Sequence, residues 1–327
     1  MPSVSVIIPV YKVERFIVRC VKSLMEQTLQ DVEFIFVDDA SPDGSIALLK
    51  DTLAEYPERV SQTMILTHEA NKGLPAARNT GLAKASGEYI YHCDSDDWVE
   101  RDMLEKMYNA AKENDADIVY CDFYISFEKN ERYMSNPEYK TADELLKRGF
   151  LGGMAKYNVW NKLVRRSIYE DNGITFPEGH NMGEDMTMIM LAACSERLKY
   201  IPEAYYHYVK LNAGAYSNTI SDKHLTDIKF NMDRTLGFLE KRYGNTLERE
   251  IAYFKLSNKL PFLISDDKEQ YKRWAEWYPE ANRYVMDNKD VPLRTRLLQW
   301  MAAKKLFFGV KLYYIFIYKF VYGVIYR

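Results

Sequence analysis

Short apolar runs alternate with amphipathic segments through the first 125 residues of the chain. The runs are rich in β-branched and aromatic residues and predict five strands, at residues 4–9, 32–37, 63–67, 88–93 and 117–123. The segments between them repeat apolar residues every three or four positions and predict helices at 13–25, 45–53, 74–85 and 102–112. Strands that alternate with helices form βαβ units, so the pattern predicts an α/β fold with a mainly parallel sheet.

The pattern changes in the remainder of the chain. Between residues 126 and 220 the signals are mixed, and they predict short helices at 145–151 and 186–193 and short strands at 198–201 and 204–208. From residue 221 onward helical signals dominate. We therefore predict three parts, at residues 1–220, 221–290 and 291–327, and we divide the first part near residue 125.

Polar side chains follow each of the first four predicted strands at the point where the strand ends. They are Tyr11 and Glu14, then Asp38 and Asp39, then Asn71 and Lys72, and finally Asp94, Ser95, Asp96 and Asp97. In open α/β sheets, ligands bind outside the carboxyl ends of the strands. A purely structural sheet has no need for polar groups at every strand end, so we expect a binding site at this edge.

The acidic run at Asp94, Asp96 and Asp97 is the most specific of these signals. Closely spaced carboxylates repel one another, and a bound cation makes such an arrangement favourable. Oxygen ligands suit Mg²⁺ or Mn²⁺, which typically bridge one or two carboxylates to substrate phosphates. The alternative is that the run caps the next helix and supplies its acidic first turn.

Two other strand ends are weaker signals when each is taken alone. Asp39 lies in an Asp-rich turn and could accept a hydrogen bond from a base or a ribose hydroxyl. Lys72 could meet a phosphate, whereas Arg78 lies one turn into a helix and could equally be solvated. The chain contains neither GxGxxG nor GxxxxGK[ST], so dinucleotide binding of the Rossmann type and P-loop hydrolysis lose support.

Taken together, the strand-end segments resemble the family-two glycosyltransferases, which have the GT-A fold. The order and spacing match over about residues 3–125, in the segments at 6–11, 37–41, 71–79 and 94–97. The resemblance implies a GT-A (Rossmann-like) sheet flanked by helices, with a nucleotide-binding half at 1–125, an acceptor half at 126–220 and a helical C-terminal region. It also implies an inverting, hexosyltransferase-type enzyme whose donor is a nucleotide sugar, with a UDP-sugar expected.

The resemblance assigns roles to particular residues of this sequence. Nucleotide and diphosphate contacts are implied for Pro9, Tyr11, Glu14, Asp39, Lys72, Arg78, Asp94 and Ser95. The divalent cation, Mn²⁺ or Mg²⁺, is implied to bind at Asp94, Asp96 and Asp97.

A Glu-Asp pair near the acceptor also belongs to the family's pattern, and Glu184-Asp185 fits it. Acidic residues at a helix N-terminus stabilise the helix without any catalytic role, which is the alternative. Inverting transfer, however, needs one carboxylate to deprotonate the acceptor hydroxyl. We expect Asp185 to be that base, with Glu184 as the second candidate.

Two further segments of this chain resemble segments of the family. Trp160-Asn161-Lys162 matches a segment that lines the acceptor site, where a Trp can stack on a sugar, although Trp160 could equally be a core residue. The segment 205–208 resembles a loop that closes over the diphosphate. Because Val209-Lys210 stands where many relatives carry Arg, His207 or Lys210 is left as the phosphate partner.

Composition and charge limit the partners. The net charge is −3, which argues against nucleic acid as a partner. The four cysteines have no CxxC spacing, which favours reduced thiols of a cytosolic protein, and no signal peptide is expected. After Asp290 there is no Asp or Glu, but there are seven Lys or Arg residues and many aromatic ones. This tail, at 291–327, predicts a basic amphipathic helix at the inner face of a membrane, or else a helix docked on the catalytic domain or on a second copy in a homo-oligomer.

Two rival functions stay open. A nucleotidyltransferase acting on a sugar phosphate also uses a parallel sheet and acidic metal ligands. It would need a phosphate loop rich in glycine and basic residues after strand one, where this chain reads Val10-Tyr11-Lys12-Val13-Glu14. A non-catalytic sugar-binding module would not need Asp94, Asp96 and Asp185 together.

Overall fold

The computed structural model describes residues 1–211, 221–317 and 319. Nine strands occur in this part of the chain: β1 (Val4–Val10), β2 (Val32–Asp38), β3 (Thr63–Thr67), β4 (Tyr89–His92), β5 (Trp98–Val99), β6 (Ile118–Ser126), β7 (Glu131–Met134), β8 (Lys162–Arg165) and β9 (Leu198–Val209).

The α-helices are α1 (Ile17–Met25), α2 (Ser45–Leu53), α3 (Leu74–Leu82), α4 (Met103–Glu113), α5 (Ala142–Glu144), α6 (Arg166–Asp171), α7 (Thr187–Ala193), α8 (Asp222–Tyr243), α9 (Glu248–Lys259), α10 (Lys268–Glu276), α11 (Leu293–Ala303) and α12 (Phe307–Tyr313). A π-helical turn spans Leu145–Leu151, and short 3₁₀ turns span Pro57–Gln62, Glu184–Met186, Leu260–Leu263 and Pro279–Tyr284.

All nine strands form one mixed sheet, in the order β3-β2-β1-β4-β8-β6-β9-β5, with β7 paired to β6. The strands β1 to β4 are mutually parallel. The strand β8 is antiparallel to both of its neighbours, while β6 and β9 are parallel. The prediction of an α/β fold with a mainly parallel sheet of GT-A type is confirmed, and the carboxyl ends of β1, β2 and β4 meet at one edge.

The strands β1, β2 and β4 and the helix α1 form because their apolar patterns match their burial, whereas the edge strand β3 is only partly buried. Every residue of β1 is buried, as expected for a strand covered on both faces. The helix α1 buries Ile17, Cys20, Val21 and Leu24, which recur at helical spacing. The four cysteines are free thiols, and three of them are buried.

The chain separates into two compact units. The first contains residues 1–143 and 157–238 and includes the whole sheet, and the second contains residues 144–156 and 239–327 and is helical. The expected boundary at residue 220 falls beside residues 212–220, which lie outside the described part, as do residue 318 and residues 320–327 of the predicted tail. These boundaries therefore stay predictions. No helix among the described residues is both long and apolar enough to cross a membrane.

The structure also differs from the sequence pattern in five places. Three strands were not predicted: β5, β7 and β8. The two short strands expected at 198–208 form the single strand β9, whose pairing with β6 is irregular near Cys121 and Asp122. The expectation that the acidic run at residues 94–97 could begin a helix is wrong, because β5 intervenes and α4 begins only at Met103.

Candidate functional site

The ends of β1 and β4 are held together by a side chain of the acidic run. The Ser95 hydroxyl donates to the Pro9 carbonyl at 2.6 Å, and Ser95 is buried. Beyond β1 the chain turns outward, and Tyr11 presents a ring that is 39% exposed, with the Lys12 Nζ 5.2 Å from its centroid. Pro9 and Ser95 therefore shape this edge of the sheet, and Tyr11 offers an open aromatic face beside it.

Asp39, at the end of β2, organises the loop between β3 and α3. Its Oδ1 accepts from the Lys72 amide at 2.8 Å and lies 2.7 Å from His68 Nδ1. Its Oδ2 accepts from the Gly73 amide at 2.8 Å and the Asn71 side chain at 2.9 Å. An ionised carboxylate has about four acceptor positions, so this buried side chain is fully used by the protein.

Gly73 is required by the position of this loop. Its φ is +89°, a left-handed value that favours glycine. A Cβ built there would lie 2.2 Å from Oδ1 of Asn181, so any side chain would also collide. That oxygen is buried and accepts no hydrogen bond from the described residues, which leaves an unused acceptor beside the start of α3.

Two further predicted nucleotide contacts, Lys72 and Glu14, lie on the surface. The Lys72 side chain is exposed, although its amide is held by Asp39. Glu14 is exposed and its Oε2 accepts from the Gly44 amide at 3.2 Å. Neither contradicts the expected role, and both roles stay predictions.

Arg78 is the centre of the site. The guanidinium is buried, and its Nη2 lies 3.0 Å from Asp94 Oδ1. Its Nη1 lies 3.0 Å from Asp185 Oδ1 and 3.5 Å from Glu184 Oε1. One Arg side chain therefore joins the acidic run after β4 to the Glu-Asp pair before α7. The alternative of a solvated Arg78 is wrong, and the three carboxylates and Arg78 are called the Arg78 cluster below.

Burial and charge shift the acid–base properties of this cluster. Burial, and then the neighbouring Asp185, raise the pKa of the Glu184 carboxyl to about 8. Burial also raises the pKa of Asp185, and Arg78 opposes that shift. For Arg78 itself burial lowers the pKa, but the three carboxylates outweigh burial and raise it overall. Three carboxylates facing one guanidinium leave the cluster with excess negative charge when they are all ionised.

The acidic run is divided between two tasks. Asp97 is buried and accepts from Tyr206 Oη at 2.6 Å and from the Val209 amide at 2.7 Å, so it anchors β9. Asp94 keeps a quarter of its side chain exposed, and Asp96 is half-buried. Asp94 and Asp96 are therefore the two carboxylates of the run that stay partly exposed.

A divalent cation fits this pair only if it shares the donor's phosphates. Within residues 1–211, 221–317 and 319, no group of three or more His, Cys, Asp or Glu side chains is arranged to hold a metal ion. Mg²⁺, however, is commonly bound by one or two carboxylates together with substrate phosphates and water. Asp94 and Asp96 are the two carboxylates of the run that could hold such an ion.

The residues expected on the acceptor side are buried. Trp160 is 7% exposed and stacks on Tyr206, with ring centroids 4.4 Å apart. The Asn161 amide donates to the Cys121 carbonyl at 2.7 Å. Lys162 Nζ donates to Asn158 O at 2.6 Å, and burial lowers its pKa to about 7. The core alternative therefore describes Trp160, and this segment supports β8 instead of facing solvent.

His207 is likewise enclosed. Its ring stacks between those of Trp98 and Tyr124, with ring centroids 3.4 Å and 4.8 Å away, respectively. Its Nδ1 lies 2.8 Å from Glu131 Oε1 and its Nε2 lies 3.0 Å from Glu100 Oε1. Since both ring nitrogens already face carboxylates, the structure does not offer this side chain to a phosphate.

Three residues of the site were not expected to have a role from the sequence, although Tyr206 lies in the segment 205–208. His68 bridges Asp39 and Thr80, Tyr206 holds Asp97, and Asn181 packs against Gly73. Only contacts between residues far apart in sequence reveal them, because each residue type is common in cores and loops.

The fold and the strand-end site define the class of protein: a GT-A sheet with an acidic run at its carboxyl edge. A sequence profile described as Glycosyl transferase family 2 matches residues 5–173, so the chain belongs to glycosyl transferase family 2 and its catalytic domain is that of a glycosyltransferase.

Relatives and solved structures agree with this assignment. The uncharacterized glycosyltransferase EpsJ of Bacillus subtilis (strain 168) is 35% identical over 217 residues, which cover 64% of this chain and 61% of EpsJ. The chain thus matches about three fifths of the length of that relative. The cholesterol galactosyltransferase of Borreliella burgdorferi is 29% identical over 359 residues and covers 97% of this chain and 96% of the relative.

The likeness also extends to a solved fold. The crystal structure of residues 1–349 of S. aureus TarS in complex with UDP-GlcNAc aligns with a TM-score of 0.72 and 20% identity. The alignment covers 96% of this chain and 91% of that one. This likeness supports the GT-A fold.

Proposed function

We propose that the protein transfers a sugar, with inversion, from a nucleotide sugar to a hydroxyl of a glycan or a lipid-linked saccharide. The observation that carries the proposal is the Arg78 cluster. It brings Asp94, at the expected donor side, and Asp185, the expected base, to one guanidinium, each at 3.0 Å. In the proposed reaction, Asp94 would act on the donor side of the reacting carbon and Asp185 on the acceptor side.

The donor side is formed by the carboxyl ends of β1, β2 and β4. Tyr11 would cover the base with its exposed ring, and Lys72 would approach the phosphates with a free side chain at the surface. The TarS fragment of the same fold binds UDP-GlcNAc, which supports a UDP-sugar as the donor. Asp39 would act indirectly, by holding the loop that carries Lys72.

Asp94 and Asp96 would hold a divalent cation, Mn²⁺ or Mg²⁺, together with the donor diphosphate. When bound, such an ion neutralises the negative charge that develops on the leaving nucleoside diphosphate. Arg78 would keep one oxygen of Asp94 fixed, because its Nη2 lies 3.0 Å from that atom. The Arg78–Asp94 contact therefore orients the carboxylate before the donor arrives.

Asp185 would remove the proton from the acceptor hydroxyl while the hydroxyl oxygen attacks the anomeric carbon. The bond from that carbon to the diphosphate breaks on the opposite face, so the configuration inverts and the nucleoside diphosphate leaves. A general base has to be ionised to act. Arg78 favours the ionised form of Asp185, since it lowers a pKa that burial raises. Glu184, whose pKa is raised to about 8, is the proton-retaining member of the pair.

The metal and donor assignments are tested together by Asp96→Ala. Binding of UDP, measured by titration calorimetry, should be strong in Mn²⁺ for the natural chain and weak in chelator. The variant should lose the difference between the two conditions, because it lacks one of two ligands. Asp51→Ala, at an exposed position in α2, is the matched control. Equal UDP affinity of Asp96→Ala and the natural chain in Mn²⁺ would contradict the assignment.

Peripheral contact with a membrane would place the enzyme near a lipid-linked acceptor, and it forms the last part of the proposal. The acid-free tail after Asp290 supports it through charge.

A further inference from the structure

The helices α11 and α12 each bury one side within the helical unit. On α11 the buried residues are Leu298, Gln299 and Ala302, and on α12 Val310 is buried. The α12 ring of Phe307 stacks on Tyr271 of α10, with centroids 5.6 Å apart. The predicted alternative of a docked helix therefore describes one side of each helix.

Their other sides expose large apolar residues. On α11, Leu293, Leu297 and Trp300 lie at spacings of four and three, which places them on one face. At and beyond α12, the exposed residues are Phe308, Leu312, Ile315 and Phe316. Phe308 is 77% exposed and Phe316 is 62% exposed, which is unusual for aromatic side chains. These seven residues are called the apolar face.

The charged residues of α11, of α12 and of the turn between them are all basic. Arg294, Lys304, Lys305 and Lys311 are exposed and form no ion pair with any described residue. No acidic residue follows Asp290 in the chain. Lys319 Nζ lies 2.7 Å from Asp266, which ties this end to the helical unit, and the same carboxylate also interacts electrostatically with Lys311.

We propose that the apolar face and its four lysine and arginine neighbours form a docking surface for the anionic surface of a lipid bilayer. The unpaired cations supply the attraction to anionic headgroups, and the exposed Phe, Leu and Trp side chains enter the boundary between headgroups and acyl chains. The buried sides of α11 and α12 stay within the protein, so the helices lie on the bilayer without crossing it. This proposal does not depend on the sugar-transfer chemistry, because no residue of the Arg78 cluster takes part.

The test is co-sedimentation of the full chain with vesicles, in the absence of any sugar nucleotide. Vesicles with 30% phosphatidylserine, a chosen composition on the order of an anionic inner leaflet, are compared with vesicles of phosphatidylcholine alone. The natural chain should bind the anionic vesicles and bind the neutral ones much more weakly. Added salt should weaken binding without abolishing it, because salt screens charge but not apolar contact.

Two triple variants separate the two contributions. Lys304→Gln/Lys305→Gln/Lys311→Gln should lower the partition coefficient on the order of 100-fold, since each well-placed cation contributes about a factor of five. Phe308→Ser/Leu312→Ser/Phe316→Ser should lower it at least tenfold or so and also remove the salt-resistant part. The matched controls are Lys50→Gln/Lys84→Gln/Lys129→Gln and Val60→Ser/Met64→Ser/Phe127→Ser, at exposed positions elsewhere.

The outcome is decided by vesicles and by oligomeric state together. Reduced binding by both tail variants, with unchanged binding by both controls, would support the proposal, provided that thermal unfolding shows folded protein. Equal binding of the natural chain and the tail variants would overturn it. A natural chain that is dimeric in sedimentation and becomes monomeric in the serine variant would also overturn it, because a second copy would then cover the apolar face.

Discussion

Asp39 and the three carboxylates of the Arg78 cluster lie at the same edge of the sheet but are stabilised in different ways. Asp39 accepts from two backbone amides and from the side chains of Asn71 and His68, so its capacity is filled by the protein. In the Arg78 cluster, three carboxylates share one guanidinium. The Asp39 carboxylate has no unused acceptor position and holds a loop in place. The Arg78 cluster carries more negative than positive charge when its carboxylates are ionised, and a bound cation or a proton taken from the acceptor would reduce that excess.

Asp185→Asn should cause the largest loss of turnover. The amide cannot take a proton from the acceptor, so turnover should fall by about 100-fold or more. Donor affinity should hardly change, because Asp185 faces the acceptor in the proposed reaction. Steady-state kinetics and calorimetry on the same preparation separate the two quantities.

Glu184→Gln is the matched control for Asp185→Asn, since it changes the neighbouring carboxylate in the same way. We expect a smaller loss of turnover. If Asp185→Asn kept near-normal turnover and Glu184→Gln did not, the base would be Glu184.

Asp39→Asn should lower the stability of the fold, because the Asp39 carboxylate accepts four hydrogen bonds. An amide in this position turns N–H donors toward groups that are themselves donors, so at least one of the amides of Lys72 and Gly73 loses its partner. Leaving such groups unpaired in a buried place should lower the free energy of unfolding by about 2–4 kcal/mol. Urea unfolding followed by circular dichroism measures this change.

Asp38→Asn provides the control, because among the described residues the Asp38 side chain accepts one hydrogen bond, from the Ser41 amide at 2.9 Å. Its cost should be about 1 kcal/mol or less. Equal losses of stability in the two variants would show that the four bonds of Asp39 are not special.

The smallest change that we expect is in the pH dependence of activity, and it reports on the Arg78 cluster. Activity should fall as the pH drops through the pKa of Asp185, since the protonated form cannot act as a base. Arg78 lowers that pKa, so Arg78→Gln should raise it and move the acidic limb of the kcat/KM profile to higher pH. Arg78→Lys keeps the charge and should leave the limb closer to its natural position. An acidic limb that does not move in Arg78→Gln would mean that another group limits the rate.

The strands β1 to β4 were predictable because each is a local run of apolar and β-branched residues. By contrast, β5 has two residues, and β7 and β8 have four each, with charged residues in both of the longer ones. Such segments become strands only through pairing with β4, β6 or β9, which sequence patterns do not display. The single strand β9 was divided in the prediction because Pro202 interrupts its pattern.

The site was predictable in its residue types but not in its contacts. The acidic run and the Glu-Asp pair are visible in the sequence, yet Arg78 and Asp185 are separated by 107 positions. Only the folded chain shows that Arg78 is buried between them. In the same way, Asp97 and His207 looked like ligand-binding groups, and the fold uses both to secure β9.

The four bonds of Asp39 also set a timescale for the loop between β3 and α3. Lys72 and Gly73 lie in a segment without regular secondary structure, and the Lys72 side chain is open to water. Their amide hydrogens are nevertheless tied to a buried carboxylate at 2.8 Å each. An amide exchanges its hydrogen with deuterium only while its hydrogen bond is open. The rate of deuterium uptake at these two amides would therefore be limited by the slow opening of the hydrogen bonds at the end of β2. This surface loop would then exchange its amide hydrogens as slowly as a core strand does.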